Sequence, residues 1–472
     1  MEFPMHIGGE LVRTDRPQQV TLPYDGSYAG TVFEAAREQV DAAVEAAVAA
    51  VPAMREMSRD ERSAILRRAH YKLIEQKQEM ARAISSECGK PIKEALAEVD
   101  RATRTLLFSS EEAHRLSGEV VPMDASPGGK GRWAMTVREP LGVVAAITPF
   151  NFPLNLAMHK IGPALAAGNA VVHKPASSTP ISALRMAGIF EACGLPKGAL
   201  NVITGPGGTI GDLLTFHKNV AMITFTGSTD VGLRIRNLAG LKRVTLELGN
   251  NSAVIIDDDA NLDEAVPRCV TGSFAHSGQV CISVQRIFVH EKIRKEFVER
   301  FVAAAGQLRI GHPLDPETDI SSLITEKEAQ RVESWVDEAV KAGATLVRGG
   351  SRRRATMEPA VLTNVPPDVQ LSCREAFGPV VGINPYTDLD EAIEQVNRSE
   401  YGLQAGIYTR DLEKAFRAAR RVHVGGFMIN EVPQYRADQM PYGGVKMSGT
   451  GREGPKYAIE EMTEVKLICW KP

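Results

Sequence analysis

Gly142-Val-Val-Ala-Ala-Ile-Thr148 is an apolar run without polar alternation, the pattern of a strand covered on both faces. Working outward, the same kind of run returns as Ala170-Val-Val172, Leu200-Asn-Val-Ile203 and Ala221-Met-Ile-Thr-Phe225. Segments of helical character separate them, over 154–167, 181–193, 209–216 and 230–238. Strand alternating with helix implies right-handed crossovers and a doubly wound parallel sheet. A second alternating set begins near Asn250, with Ala253-Val-Ile-Ile256, a helix over 262–274, Arg286-Ile-Phe-Val289 and a helix over 293–305. Strand-like runs near 378–382, 402–408 and 426–430, with helices over 390–396 and 412–422, extend it. The expected fold class is α/β, with two such units.

Upstream, residues 1–35 read as short extended segments broken by Gly8, Gly9, Pro23 and Gly26. Two long helices are expected next. Ser58-Arg-Asp-Glu61 is a capping box that opens the first, and Gly89 with Pro91 stops it. The second spans about 92–116 and carries Arg101 and Arg104. Residues 118–140 read as a hairpin turning at Gly128-Gly129-Lys-Gly131, and 463–469 as a strand that adds to a sheet. Arg352-Arg-Arg354 reads as a solvated basic loop.

A net charge of -3 gives no reason to expect nucleic acid or an anionic membrane as partner. No apolar run approaches bilayer length, and the first residues lack the pattern of a secretory signal, so a cytoplasmic setting is expected. The six cysteines form no Cys-x-x-Cys pair and the histidines no metal-binding spacing, so no metal is expected.

Ser277-Gly-Gln-Val-Cys-Ile-Ser283 is the stretch richest in chemistry. A cysteine flanked by Gly278 and small or polar residues suits a nucleophile better than a packing residue, although a buried inert thiol is the competing reading. Phe225-Thr-Gly-Ser-Thr-Asp-Val-Gly232 joins a buried strand to a helix, where Gly227, Ser228 and the free amides suit an anion such as a pyrophosphate; an ordinary capped turn has the same look. Glu247 ends an apolar strand between Leu246 and Leu248, where desolvation would suit a general base, unless the side chain points to solvent. Asn151, in Thr148-Pro-Phe-Asn-Phe-Pro153, is either an oxyanion donor held by two prolines or a turn asparagine bonding its own backbone.

Taken together these segments resemble the NAD(P)-dependent aldehyde dehydrogenase superfamily over nearly the whole chain. The likeness rests on Pro149-Phe-Asn-Phe-Pro153, Gly162-Pro-Ala-Leu-Ala-Ala-Gly-Asn169, Lys174-Pro-Ala176, Phe225-Thr-Gly-Ser228 and Leu246-Glu-Leu-Gly249. Gly278-Gln-Val-Cys281, Glu375-Ala-Phe-Gly-Pro379 and Pro441-Tyr-Gly-Gly444 complete it. The resemblance implies Cys281 as nucleophile, Asn151 as oxyanion donor and Glu247 as the base that activates water. For NAD or NADP it implies Lys174 and Glu375 at the two riboses, Phe377 at the nicotinamide, and Gly227 and Ser228 at the pyrophosphate. Ser177 stands where many NAD-preferring members carry a glutamate, so either cofactor is compatible. The implied architecture is a Rossmann-like cofactor domain over 1–117 and 139–247 and a catalytic α/β domain over 248–435. Residues 118–138 and 436–472 would form a small β oligomerisation element with the C-terminal strand, in a homodimer or homotetramer.

The branch it resembles handles lactaldehyde, succinic semialdehyde, phosphonoacetaldehyde or phosphorylated glyceraldehyde. Arg436, His159, Arg101 and Arg104 are the candidate substrate contacts, which implies a small polar or anionic aldehyde, although each arginine taken alone fits a solvated helix or loop face equally well. Val280, where several relatives for anionic substrates have arginine, argues against a phosphate site. Three rivals stand beside this reading: a coenzyme A-acylating relative, a non-catalytic binding protein on the same scaffold, and a bare cysteine hydrolase.

Overall fold

The computed structural model describes residues 1–472, with two large sheets at its centre. The first runs, by residue, 449–450, 243–247, 222–226, 143–147, 170–174, 200–202, 5–7 and 10–12. The five strands between 143 and 247 are mutually parallel; 449–450 adds antiparallel at one end and the N-terminal hairpin at the other. Strand order reverses around 143–147, so the chain builds outward from it in both directions. Crevices at the carboxyl ends of strands beside such a reversal are where α/β sheets bind ligands. Register brings Lys174, Ile147, Phe225, Thr226 and Glu247 into one row along that edge.

The second sheet runs 345–348, 360–363, 380–386, 284–290, 252–256, 404–408 and 426–429, parallel except for its first strand. Only Leu248 to Asn251 separate Glu247, at the carboxyl end of a first-sheet strand, from Ser252, which opens a second-sheet strand. Cys281 likewise stands just before the strand Val284–His290. Both sheets therefore present site residues at the seam between them. The mixed α/β fold with parallel sheets is the one expected.

Four helices, not two, lie between the N-terminal strands and the central strand Val143–Ile147. Arg37–Glu56 is a helix that Pro52 obscured in the sequence. The helix opened by Ser58 has its capping box, with Ser58 Oγ accepting from the Glu61 amide at 3.2 Å and Glu61 Oε2 from the Ser58 amide at 2.7 Å. It is interrupted at Gln76, giving Arg59–Glu75 and Lys77–Cys88, and Gly89 closes the latter at φ 72°. The fourth helix is Ile92–Arg115.

Residues 118–140 supply two strands to a three-stranded antiparallel sheet, Val120–Val121 and Trp133–Pro140, with Thr463–Trp470 along the far edge. Residues 436–462, grouped with the terminal strand on sequence, instead turn back onto the first sheet through 449–450, because Gly449 and Thr450 pair with Glu247 and Leu246. Arg352 is not in a solvated loop. It begins a two-residue strand paired with Thr356–Met357 and is bonded to Glu326 and Glu333. The helix Glu326–Lys341 and the strand Ala360–Thr363, which the sequence reading passed over, complete the second unit. No helix is long and apolar enough to cross a membrane.

Candidate active site

The turn before Cys281 is strained. His276, Ser277 and Gly278 all have positive φ, at 48°, 55° and 74°. Glycine is required at 278 because a Cβ there would overlap the carbonyl oxygen of Gly378. The strain is held from three sides: Glu94 Oε1 accepts from the His276 amide at 3.0 Å, Ser277 Oγ donates to Ser321 O at 2.9 Å, and Gln279 Oε1 accepts from the Ile324 amide at 2.8 Å. Cys281 Sγ ends 2.9 Å from Tyr442 Oη. Burial pushes its thiol up to about 12, against the Tyr442 bond and Arg436, which lower it.

Asn151 follows the first-sheet strand Val143–Ile147 and is 3 % exposed. Its Nδ2 donates to Gln279 O at 2.8 Å, two residues before Cys281, while Oδ1 has no partner. An amide NH₂ has two protons, so one remains for a ligand. Phe152 packs against the apolar group of Val280, Ile282, Leu403 and Tyr442, as does Cys281, which brings the Asn151 turn and the cysteine turn together.

Glu247 is 4 % exposed rather than solvent-facing, and its Oε2 has no hydrogen-bond partner. Desolvation and then the charge of Glu453 push its carboxyl well above the usual range. Gly443 packs so closely that a Cβ there would come within 2.8 Å of Glu247 Oε1. Gly443 follows Tyr442, so one turn contacts both the carboxyl and the sulfur. Sequence reasoning missed three groups here. Glu453 accepts from Lys160 Nζ at 2.7 Å and Arg436 Nη2 at 2.8 Å, and Tyr442 was visible only as part of Pro441-Tyr-Gly-Gly444.

The substrate candidates divide. Arg436 is buried, bonded to Glu453, and stacked 3.6 Å above the Tyr442 ring, yet its Nε has no partner. Arg101 and His159 meet at Asp438, whose Oδ1 accepts from Arg101 Nη2 at 2.8 Å, faces His159 Nε2 at 3.2 Å and accepts from Asn155 Nδ2 at 3.3 Å. Burial drives His159 down to about 4, so it is neutral; burial opposes ionisation of Asp438 too, but the His159 and Arg101 bonds outweigh that and hold its carboxyl low. Arg104 is exposed, and no hydrogen bond or ion pair joins it to this group.

Along the same edge, Lys174 is buried, donates only to Pro175 O at 2.8 Å and faces no carboxylate; burial drives it down to about 8. Ser177 Oγ is spent on Gly205 O at 2.8 Å. Gly227 and Ser228 precede the ten-residue helix Thr229–Leu238, whose cap hydroxyl makes no capping bond. Glu375 Oε1 accepts from the Asn250 amide at 3.0 Å, and desolvation raises its carboxyl to about 7. Phe377, at φ 49°, meets Phe150 edge-on at 5.8 Å. An uncompensated buried ammonium, a free helix N-terminus and a nearby carboxylate with spare acceptors fit a dinucleotide, with groups for its ribose hydroxyls and its pyrophosphate.

A sheet with a ligand edge of this make-up and a cysteine turned toward it define an NAD(P)-dependent oxidoreductase. The chain matches the aldehyde dehydrogenase family over residues 12–468. It is 49% identical over 467 residues to a 3-sulfolactaldehyde dehydrogenase of Priestia aryabhattai, covering 99% of this chain and 98% of the relative. Its structure is similar to that of aldehyde dehydrogenase 21 from Physcomitrella patens in complex with the reaction product succinate, with a TM-score of 0.97, 40% identity, and coverage of 100% of this chain and 98% of the other. It is also similar to glyceraldehyde-3-phosphate dehydrogenase GapN from Methanocaldococcus jannaschii complexed with NADP, with a TM-score of 0.94, 39% identity, and coverage of 97% and 100%. The chain belongs to the aldehyde dehydrogenase family and oxidises an aldehyde with NAD or NADP.

Proposed function

We propose that the protein is a non-acylating dehydrogenase that converts a small aldehyde with one negative charge at its far end, a sulfonate or carboxylate, to the carboxylic acid. The observation that carries this reading is the Tyr442-Gly443 turn, which meets the Cys281 sulfur on one side and the unpartnered Glu247 carboxyl on the other. Cys281 adds to the aldehyde carbon, and the oxyanion of the resulting thiohemiacetal is held by the free Nδ2 proton of Asn151 and the Cys281 amide. When bound, the nicotinamide cofactor supplies the hydride acceptor that turns this adduct into a thioester. Glu247 then takes a proton from water as that water attacks the thioester, and the acid leaves. Lys174, Glu375, Gly227, Ser228 and Phe377 would hold the cofactor, and Ser177 puts no carboxylate in the way of a 2′-phosphate. A base for water at this position favours hydrolysis over transfer to coenzyme A.

Charge supports the substrate class. Arg101, Arg436 and Lys160 face only two ionised partners, Asp438 and Glu453, while His159 and Glu247 favour their neutral forms. Positive charge is left over, with Arg436 Nε unpartnered and Arg452, which also acts on Glu247, bonded only to the carbonyls of Gly444 and Gly451. That suits an anionic far end. Val280, which adds no further cation beside the sulfur, favours a monoanion over a phosphate dianion. The relative from Priestia, named for a sulfonated aldehyde, agrees with this choice. Six free cysteines suit a reducing compartment and support a cytoplasmic setting. The domain division expected from sequence is retained, with the oligomerisation element narrowed to 118–140 and 463–472.

The test is a panel of neutral, monoanionic and dianionic aldehydes of equal length, assayed with NAD and NADP and without coenzyme A. Free acid should form, with the highest kcat/KM for the monoanion, and Cys281→Ser should lose about 10³-fold or more. Arg436→Ala should raise KM for the monoanion far more than for the neutral aldehyde. Strict dependence on coenzyme A, or full turnover by Cys281→Ser, would sink the proposal.

A further inference from the structure

The Tyr442 hydroxyl is a polar group in an apolar place. Its ring is 3 % exposed, packed with Val280, Ile282 and Leu403, and a phenylalanine would fill the same volume. The one hydrogen bond that the hydroxyl makes is to Cys281 Sγ, at 2.9 Å. While the sulfur is a thiol, either atom can donate. Once the sulfur loses its proton only the phenol can. Hydrogen bonds to an ionised acceptor are roughly twice as strong as neutral ones. The contact therefore tightens on the ionisation that makes the sulfur a nucleophile.

The surroundings preserve this direction. Burial and then the nearby Cys281 sulfur hold the phenol well above its ordinary value, so Tyr442 keeps the proton it donates. Arg436 lies over the ring with its Cζ 3.6 Å from the centroid, and Glu453 accepts from its Nη2 at 2.8 Å. A cation over a phenol makes its O–H a better donor. The carboxyls nearest the sulfur, Glu375 and Glu247, oppose the thiolate whenever they are ionised. Tyr442 is the only side chain that hydrogen-bonds the sulfur.

We propose that Tyr442 is a catalytic residue whose hydroxyl donates to the Cys281 sulfur as it becomes a thiolate, with Arg436 as the positioning residue stacked on its ring. The proposal rests on Cys281 being the nucleophile. It is tested on the full-length enzyme with Tyr442→Phe, following the rate of Cys281 alkylation by iodoacetamide across pH by peptide mass spectrometry. The rate at neutral pH should fall about tenfold, the worth of one charge-assisted hydrogen bond, and the profile should move to higher pH. The burst of cofactor reduction needs no access for the reagent, and its pH profile should move the same way with KM for the cofactor unchanged. Thermal stability should stay close to that of the wild type, because the ring remains. Unmoved alkylation and burst profiles in Tyr442→Phe would overturn the role of the hydroxyl. Retained turnover in Cys281→Ser would instead overturn the nucleophile, and the two failures are told apart by which variant keeps its activity.

Discussion

Glu247 and Asn151 show how much a single residue's role depends on what it lacks. Each carries a buried oxygen without a partner, Oε2 in one and Oδ1 in the other, a costly state that a packed core avoids and a ligand site retains. For Glu247 the consequence is directional. Its carboxyl is held well above the usual range by desolvation and by Glu453, and as the proposed base it would have to be ionised to take a proton from water. Turnover limited by hydrolysis should therefore rise with pH through that raised value, the opposite of an acid-catalysed profile. Glu247→Gln should still produce a burst of one reduced cofactor per active site, followed by steady turnover lowered about 10²–10⁴-fold. Stopped-flow absorbance reads both phases, and loss of the burst along with the steady rate would remove the base from the hydrolytic step. Both positions stood out locally, as an apolar strand end and a proline-braced turn, but each local pattern also fitted a bland alternative, and their roles were expected only through the resemblance. Arg436 was legible only in part. Its guanidinium was expected to face a ligand, and its Nη2 is taken by Glu453, seventeen positions further on, while Nε has no partner.

The helix Ile92–Arg115 ties the two halves of the site together. Glu94 Oε1 accepts from the His276 amide in the strained turn before Cys281. One turn on, Glu98 Oε1 accepts from the Leu154 and Asn155 amides at 2.9 and 3.1 Å, at the start of the helix that follows Asn151. Lys90, fully buried, bonds to Glu98 and lies 3.7 Å over the Phe152 ring. One face of one helix thus sets the spacing of the two proposed oxyanion donors. Glu94→Ala should lower kcat about tenfold with KM for the cofactor unchanged, as a small misplacement of reacting groups does, and Glu94→Gln should restore it because an amide oxygen still accepts. Equal rates in all three proteins would deny the helix this part. Glu98→Ala should cost about 3–5 kcal/mol in urea unfolding, since it leaves the Lys90 ammonium buried and unpaired. The sequence announced the start of this helix, because Gly89 and Pro91 close the one before it, whereas nothing local to Glu94 or Glu98 told which amides they would meet. The break at Gln76 carried no glycine or proline and was missed for that reason.

At the scale of the whole molecule, the strand Thr463–Trp470 lies at the edge of its sheet with Val465, Leu467 and Trp470 exposed. Long apolar edges invite pairing with another chain. If copies of the chain pair along this edge, as expected from the sequence, Val465→Lys combined with Leu467→Lys should lower the mass in light scattering to that of a monomer, and an unchanged mass would free this strand from any interface. The α/β architecture itself was readable from sequence, because strands covered on both faces are apolar throughout and helical periods separate them. The turns bearing Cys281, Asn151 and Glu247 were readable as well, since glycine, proline and strand-end patterns act over a few residues. Which charges meet was decided by the fold alone. Arg101 finds Asp438 across 337 positions, Lys160 finds Glu453 across 293, and Tyr442 reaches Cys281 across 161. Burial makes such pairs obligatory without naming the partners, because desolvation demands a countercharge within a few ångströms and only the packed chain determines what lies that close.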